Sequence, residues 1–313
     1  METGAIERRS GLNWDQFVEQ YVKPNKPVII TDAAATWKAH ELFSPEYFKI
    51  NYPDKTAGIN GKRYTISEYV DMMLTATEDN PAPYPFKIDI EKNFRELLPL
   101  ITPGFSVLAK NRLKSKLITK RVIPQASTLE IFFGGKSGWF PYIHYDLYGL
   151  YAIVTQVYGR KQFIVYEPGQ EIYMYPDKEH PWKSGVQEYY KPDFEKYPLF
   201  KNAKPITDVV SPGETIFVPK GWWHTARSLE PTISIAQDLL TKYNWDIFER
   251  DVLFYKKKEG AVKHLAYSMY LKYAQAGINL VQRKFRNLQG IDISALILSR
   301  HQKKMPALFF EFI

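Results

Sequence analysis

The 313-residue chain carries no cysteine, 42 Lys and Arg against 34 Asp and Glu, six His, and 45% hydrophobic residues. This excludes disulfides, thiolate metal sites and thiol nucleophiles, and with 24% charged residues it is the composition of a folded globular protein. No apolar run is long enough to span a bilayer and the opening METGAIERRSG has no apolar core behind its charges, so the expected location is cytoplasmic, with no membrane partner.

The first 120 residues read as short helices around a strand. LNWDQFVEQYV is an amphipathic helix with Asn13 as its cap and Gln16 three residues on, stopped by KPNKP. A buried strand is expected from Val28 to Thr31. SPEYFKIN places Pro45 in a first helical turn, and TISEYVDMML follows a Thr65 cap with Glu68 three residues later.

From about residue 121 to 245 the texture changes to apolar runs separated by Gly/Pro turns: STLEIFFGG, PYIHYD, LYAIVTQVYG, KQFIVYEPG, DVVSPGETIFVPKG and TISIAQDLL. These are about six or seven short strands, the pattern of a β-sandwich or barrel. EPGQ and SPGE carry Pro then Gly at the central positions of type II turns. A polar, Pro-rich insert at 169–205 interrupts the strands; a substrate lip and a loop covering a sheet edge are both consistent with it.

Residues 246–313 turn helical again. Val262, Leu265, Ala266, Met269, Tyr270 and Tyr273 recur along one helical stripe, and the chain ends in PALFFEFI. Packing on the core and a homodimer interface both remain open for this apolar surface. Twelve Lys and Arg against six Asp and Glu fall in this last part, read here as a solvated helical face; a nucleic-acid partner is not indicated.

Chemistry gathers around YIHYD and PKGWWHT. On a strand His144 and Asp146 point to one face, while His224 follows a Pro-Gly turn that delivers it to a rim. Two imidazoles and one carboxylate make the facial triad that holds non-haem Fe(II) and leaves its other positions free. Lys161 lies 17 residues after His144, at the head of an otherwise apolar strand. An ammonium directed into a barrel is costly without an anion, and a dicarboxylate cosubstrate would supply one.

The runs LEIFFGGKSGWFPYIHYDLYGLYAIVTQVYGRKQFIVYEPGQ and VVSPGETIFVPKGWWHTARSLEPTISIAQDLL resemble the JmjC/cupin-like oxygenases that use Fe(II) and 2-oxoglutarate, in the branch of protein hydroxylases. The likeness spans roughly residues 12–245. It implies a mainly β protein with flanking helices: a double-stranded β-helix (jelly-roll) core at 121–245, an N-terminal elaboration at 1–120, and C-terminal helices at 246–313 that in relatives often make a dimer. His144, Asp146 and His224 would be the iron ligands, and Lys161 would pair with the distal carboxylate of 2-oxoglutarate. The implied activity is hydroxylation of an amino-acid side chain in a protein, peptide or amino-acid-like substrate, with succinate and CO2 as co-products.

Four positions depart from the pattern of the branch. Pro141 stands where a Ser or Thr helps hold the cosubstrate, Val154 and Asp238 where an Asn is usual, and Ala236 where a Thr is usual. Tyr142, Tyr151, Gln156 and Gln237 are candidates to replace the missing hydrogen bonds, and Tyr84 and Lys87 border the pocket. Two other readings keep the triad: a cupin-like protein that binds metal without turnover, and a metal-cupin enzyme that does not consume 2-oxoglutarate.

Overall fold

Local capping starts the first helices where the sequence places them. Asn13 accepts the Gln16 amide N–H while the Gln16 side chain accepts that of Asn13, and the helix Trp14–Phe17 continues as a wider π turn over Val18–Val22. Ser44 caps Pro45–Asn51, and Thr65 with Glu68 forms a reciprocal pair at the head of Ile66–Thr75. That helix buries Ile66, Tyr69, Val70 and Met73, an i, i+3, i+4, i+7 stripe. Thr65→Ala removes one satisfied amide of the first turn and is expected to lower stability by about 1 kcal/mol in urea unfolding. An unchanged midpoint would mean that Glu68 alone holds the turn.

The computed structural model describes residues 5–102, 111–119, 122–123 and 128–287. Among these, twelve strands form: β1 (Arg8–Arg9), β2 (Val28–Ile30), β3 (Thr56–Ile59), β4 (Lys62–Thr65), β5 (Phe86–Asp89), β6 (Leu129–Gly134), β7 (Tyr151–Tyr158), β8 (Lys161–Tyr166), β9 (Pro205–Val210), β10 (Thr215–Val218), β11 (Trp223–Ser228) and β12 (Thr232–Leu239). One sheet runs β1-β2-β10-β7-β12-β6-β5, a second β11-β8-β9, and β3-β4 is a separate hairpin. Gly169 and Gly213 have φ of +96° and +91°, as the type II reading of EPGQ and SPGE requires.

Strand alternation sorts the two large sheets into an inner and an outer layer. Ala152, Val154, Phe163, Val165, Ile216, Val218 and Ala226 meet in one cluster, so these faces of β7, β8, β10 and β11 enclose a common interior. Ile233 and Ile235 of β12 point the other way, into a cluster with Phe48, Tyr69, Phe86 and Phe133 that is roofed by the N-terminal helices. The chain passes from one sheet to the other at Gly159, between β7 and β8. Its φ is +63°, and a Cβ there would lie 2.0 Å from the Pro231 carbonyl oxygen, so only glycine fits this corner. The result is mainly β with flanking helices, a double-stranded β-helix core.

Two expectations about strands change. The stretch 141–146 pairs only at His144, through isolated bridges to His224 and Lys183, and is not a continuous strand. Pro141 has no N–H to donate to a ladder, and a tight turn with Tyr148 at φ 60° follows Asp146. His224 does follow a turn, at the positive-φ Gly221, but as the second residue of a further strand, β11, paired with β8.

The chain divides into two compact units, Met1–Phe105 with Ser127–Asp238, and Ser106–Ala126 with Leu239–Ile313. The segments expected as elaboration and core thus share the first unit over most of their length. In the second, the helices Trp245–Lys256 and Ala261–Asn287 bury Trp245, Phe248, Val252, Leu271, Ala274 and Ile278. The stripe read from the sequence is a different one: Val262, Leu265, Met269 and Tyr273 are exposed. PALFFEFI lies outside the described residues. No helix among the described residues is long and apolar enough to cross a membrane.

Candidate active site

His144 and His224 face each other across a two-bond antiparallel bridge: His144 N–H donates to the His224 carbonyl at 3.0 Å and His224 N–H to the His144 carbonyl at 2.6 Å. Their rings lie 4.3 Å apart. Asp146, two residues beyond His144, turns its carboxylate to both, 3.9 Å from His144 Nε2 and 4.0 Å from His224 Nε2. The three ligand atoms lie within 4.8 Å of one another.

The donor set fits a divalent metal. His224 Nδ1–H donates to the Trp222 carbonyl at 3.0 Å, which fixes the tautomer and leaves Nε2 with its lone pair towards Asp146. Burial first, then the neighbouring His224 ring, pushes His144 well below the ordinary histidine range, so its imidazole is neutral. Burial raises the Asp146 carboxyl above its ordinary value. A cation among these atoms reverses that penalty. Phe140 stacks on the His144 ring at 4.5 Å and Tyr142 meets it edge-on at 5.4 Å, so aromatic surface limits where the imidazole can swing.

The second polar centre lies along the same interior. His224, Ala226 and Ser228 share one face of β11, opposite Val165, Phe163 and Lys161 of β8. Lys161 therefore sits four residues along the ladder from His224, about 13 Å at the strand repeat. Its side chain is 2% exposed, and burial pulls its ammonium down to about 7. Nζ donates to Ser234 Oγ at 2.6 Å and to Tyr84 Oη at 3.2 Å; among the described residues no carboxylate lies within ion-pair distance of it. A buried cation held by neutral oxygens fits the carboxylate of an incoming acid.

The other candidates separate. Tyr84 is buried and reaches the lysine. Gln156 is fully buried beside it, but bonds Ser234 and two backbone carbonyls, not Lys161 itself. Tyr142 lies against His144, with Trp182 and the Lys183 ammonium on its other sides. Lys87 pairs with Glu130 at 2.8 Å, and its charge is felt at Asp146 and Asp238. Tyr151 packs on Phe217, on the face of β7 opposite Ala152. Gln237 alternates with Ala236 and so shares the outer face of β12 with Ile233 and Ile235, away from Ser234.

Of the four departures, Val154 packs in the interior apolar cluster and Ala236 lies opposite Glu130. Asp238 sits on the Ser234 face of β12, and burial, then Asp146, holds its carboxyl well above the usual carboxylate range. Sequence reasoning missed Ser234, Phe140 and Trp182. Ser234 had a signal: in TISIAQDL the positions alternating with Ile233 and Ile235 are Thr232, Ser234 and Ala236, small side chains where a ligand needs room.

The insert 169–205 packs on the outer face of the smaller sheet and runs past His144. Met174, Val186, Tyr189, Tyr197 and Phe200 bury themselves against Ile143, Tyr166 and Trp223 on the outer face of the smaller sheet. Its residues 182–184 run beside His144, with Tyr145 N–H donating to the Trp182 carbonyl and Ser184 N–H to that of Ile143. Trp182 and Lys183 thereby border His144.

The β-helix interior thus carries two histidines and an aspartate at one level, a set that could hold a metal ion, and a buried lysine at another. The chain belongs to the cupin-like domain family, whose model matches residues 14–249. It is 27% identical over 303 residues to the arginine-specific demethylase JMJ20 of Arabidopsis thaliana, covering 84% of this chain and 63% of that protein. To the lysine-specific demethylase JMJ21 of the same plant it is 27% identical over 261 residues, 78% of this chain and 26% of the relative. To the 2-oxoglutarate and iron-dependent oxygenase JMJD4 of Gallus gallus it is 33% identical over 116 residues, 37% of this chain and 25% of that protein. The chain thus spans less than two thirds of the curated relatives it matches. The name of the Gallus gallus relative includes iron and 2-oxoglutarate, and His144, Asp146 and His224 are a donor set that would hold such a metal.

Proposed function

We propose that the protein is an Fe(II)- and 2-oxoglutarate-dependent oxygenase that hydroxylates a carbon of an amino-acid side chain in a protein, peptide or amino-acid-like substrate. The observation that carries this reading is the buried Lys161, held among the described residues by the hydroxyls of Ser234 and Tyr84, on the interior that also presents His144, Asp146 and His224. A metal-storing cupin has no use for such an ammonium.

His144, Asp146 and His224 would hold the iron on one side and leave the other open, while Lys161 and Tyr84 would take the distal carboxylate of 2-oxoglutarate. Bound iron and 2-oxoglutarate supply the activation of oxygen and the oxidation of an unactivated C–H bond. This chain's own part is to hold, orient and keep dry. Phe140 and Tyr142 shield the His144 ring, and Trp182 and Lys183 border the side from which a substrate would approach. Hydroxylation also accounts for demethylation, the activity printed in the names of several relatives, because a hydroxylated N-methyl group falls apart to formaldehyde.

Oxygen consumption coupled to succinate formation, measured with Fe(II) and 2-oxoglutarate, tests the reading. Turnover that requires both supports it; metal binding without 2-oxoglutarate consumption would leave a metal cupin of another activity. Mass spectrometry of peptides and metabolites incubated with the protein, reading a gain of one oxygen or the loss of a methyl group, identifies the substrate.

A further inference from the structure

We propose that Gln156 and Ser234 are positioning residues that set the hydrogen-bond polarity of the lysine site, so that Lys161 and Tyr84 present donors to the distal carboxylate of the cosubstrate; this rests on the 2-oxoglutarate reading above. The chain of bonds starts at the corner between β7 and β8. Gln156 Nε2 lies 2.7 Å from the Tyr158 carbonyl oxygen and 2.8 Å from that of Gly159. Carbonyls only accept, so both amide hydrogens are committed there and the orientation of the amide is fixed.

The other end of the amide must then accept. Gln156 Oε1 takes the Ser234 hydroxyl hydrogen at 2.8 Å. With its only hydrogen spent, Ser234 Oγ offers Lys161 nothing but lone pairs, and Nζ donates to it at 2.6 Å. A second ammonium hydrogen goes to Tyr84 Oη at 3.2 Å. Since that oxygen accepts from lysine, the Tyr84 hydroxyl hydrogen is left to donate elsewhere, as is the third hydrogen of the ammonium.

The site is therefore biased towards an acceptor-only ligand. Gln156 and Ser234 are fully buried, as Lys161 nearly is, so water does not scramble these roles. Were the Gln156 amide reversed, its oxygen would face two carbonyl oxygens, and Ser234 would be free to turn its hydrogen towards the ammonium. The corner that only Gly159 can occupy is thus tied to the charge chemistry of the pocket.

The test compares two 2-oxo acids on the Mn(II)-loaded protein by calorimetry. 2-Oxoglutarate carries the distal carboxylate; 2-oxopentanoate has the same metal-chelating end and chain length without it. Ser234→Ala is expected to weaken 2-oxoglutarate about tenfold or more, the effect of one hydrogen bond to a charged group, while 2-oxopentanoate changes less than about twofold. Gln156→Leu should show the same selective loss, and if it fails to fold, Ser234→Ala decides alone. Equal weakening of both acids would reduce the two residues to packing, and no weakening of either would also overturn the proposal. If the unaltered protein binds the two acids equally, the 2-oxoglutarate reading itself falls, and this inference with it.

Discussion

Lys161→Met is expected to weaken 2-oxoglutarate binding to the manganese-loaded protein by about 2–4 kcal/mol while leaving metal affinity nearly unchanged. The reason is that, among the described residues, the ammonium has only neutral partners: Ser234 and Tyr84 orient it, and the charge that would balance it is the ligand's. Without ligand the same substitution should stabilise the protein. The lysine falls from an ordinary 10.5 to about 7 on folding, so the unfolded chain holds its proton more tightly than the folded one. Below pH 7 the full penalty is present, on the order of 4–5 kcal/mol at most. It fades as pH rises from 7 towards 10.5, where lysine is neutral in both states. Thermal melts should accordingly favour the Met variant most at pH 6–7, with a margin that narrows at pH 9–10. A margin that does not change with pH would mean that the amine reaches solvent in the folded state.

Asp146→Ala is the second large effect. It should abolish iron-dependent turnover and weaken Fe(II) or Mn(II) binding by more than about a hundredfold, since even partners that only orient a ligand are commonly worth ten to a hundred. The fold should survive, because burial already disfavours the ionised carboxyl, and among the described residues Asp146 is not part of the apolar clusters. A melt unchanged or slightly raised, together with silent metal titration, is the expected pair of results. Undiminished metal binding would remove Asp146 from the ligand set.

The sequence disclosed the layers of the protein where side-chain period was unambiguous. β6, β7, β8, β10 and β12 fall on runs of Ile, Val, Phe and Tyr, and the helix starts at Asn13, Ser44 and Thr65 are set by local hydrogen bonds. What escaped it depends on partners far along the chain. WHTARS becomes β11 through its pairing with β8, about 60 residues earlier, and nothing in its own composition announces a strand. The Gln237 and Ser234 roles turn on one residue of parity: the two differ by an odd number of positions, so β12 can offer only one of them to the interior. Gln156 is one of several sequence candidates for the missing hydrogen bonds, and its bonds run to the corner and to Ser234, a distinction no spacing reveals. On the long C-terminal helix the apolar stripe at Val262, Leu265, Met269 and Tyr273 stays exposed, and Leu271, Ala274 and Ile278 are the buried positions, a choice periodicity does not make.

The bridge from residues 182–184 to His144 and its neighbours is made by main-chain N–H and C=O groups. Such pairing is indifferent to the side chains that ride on it. The side chains there can therefore change, an indole at Trp182 for a carboxylate or a lysine at Lys183 for a glycine, while the backbone beside His144 keeps its place. Backbone pairing thus holds the position of this stretch, while its side chains at 182 and 183 are left free to vary.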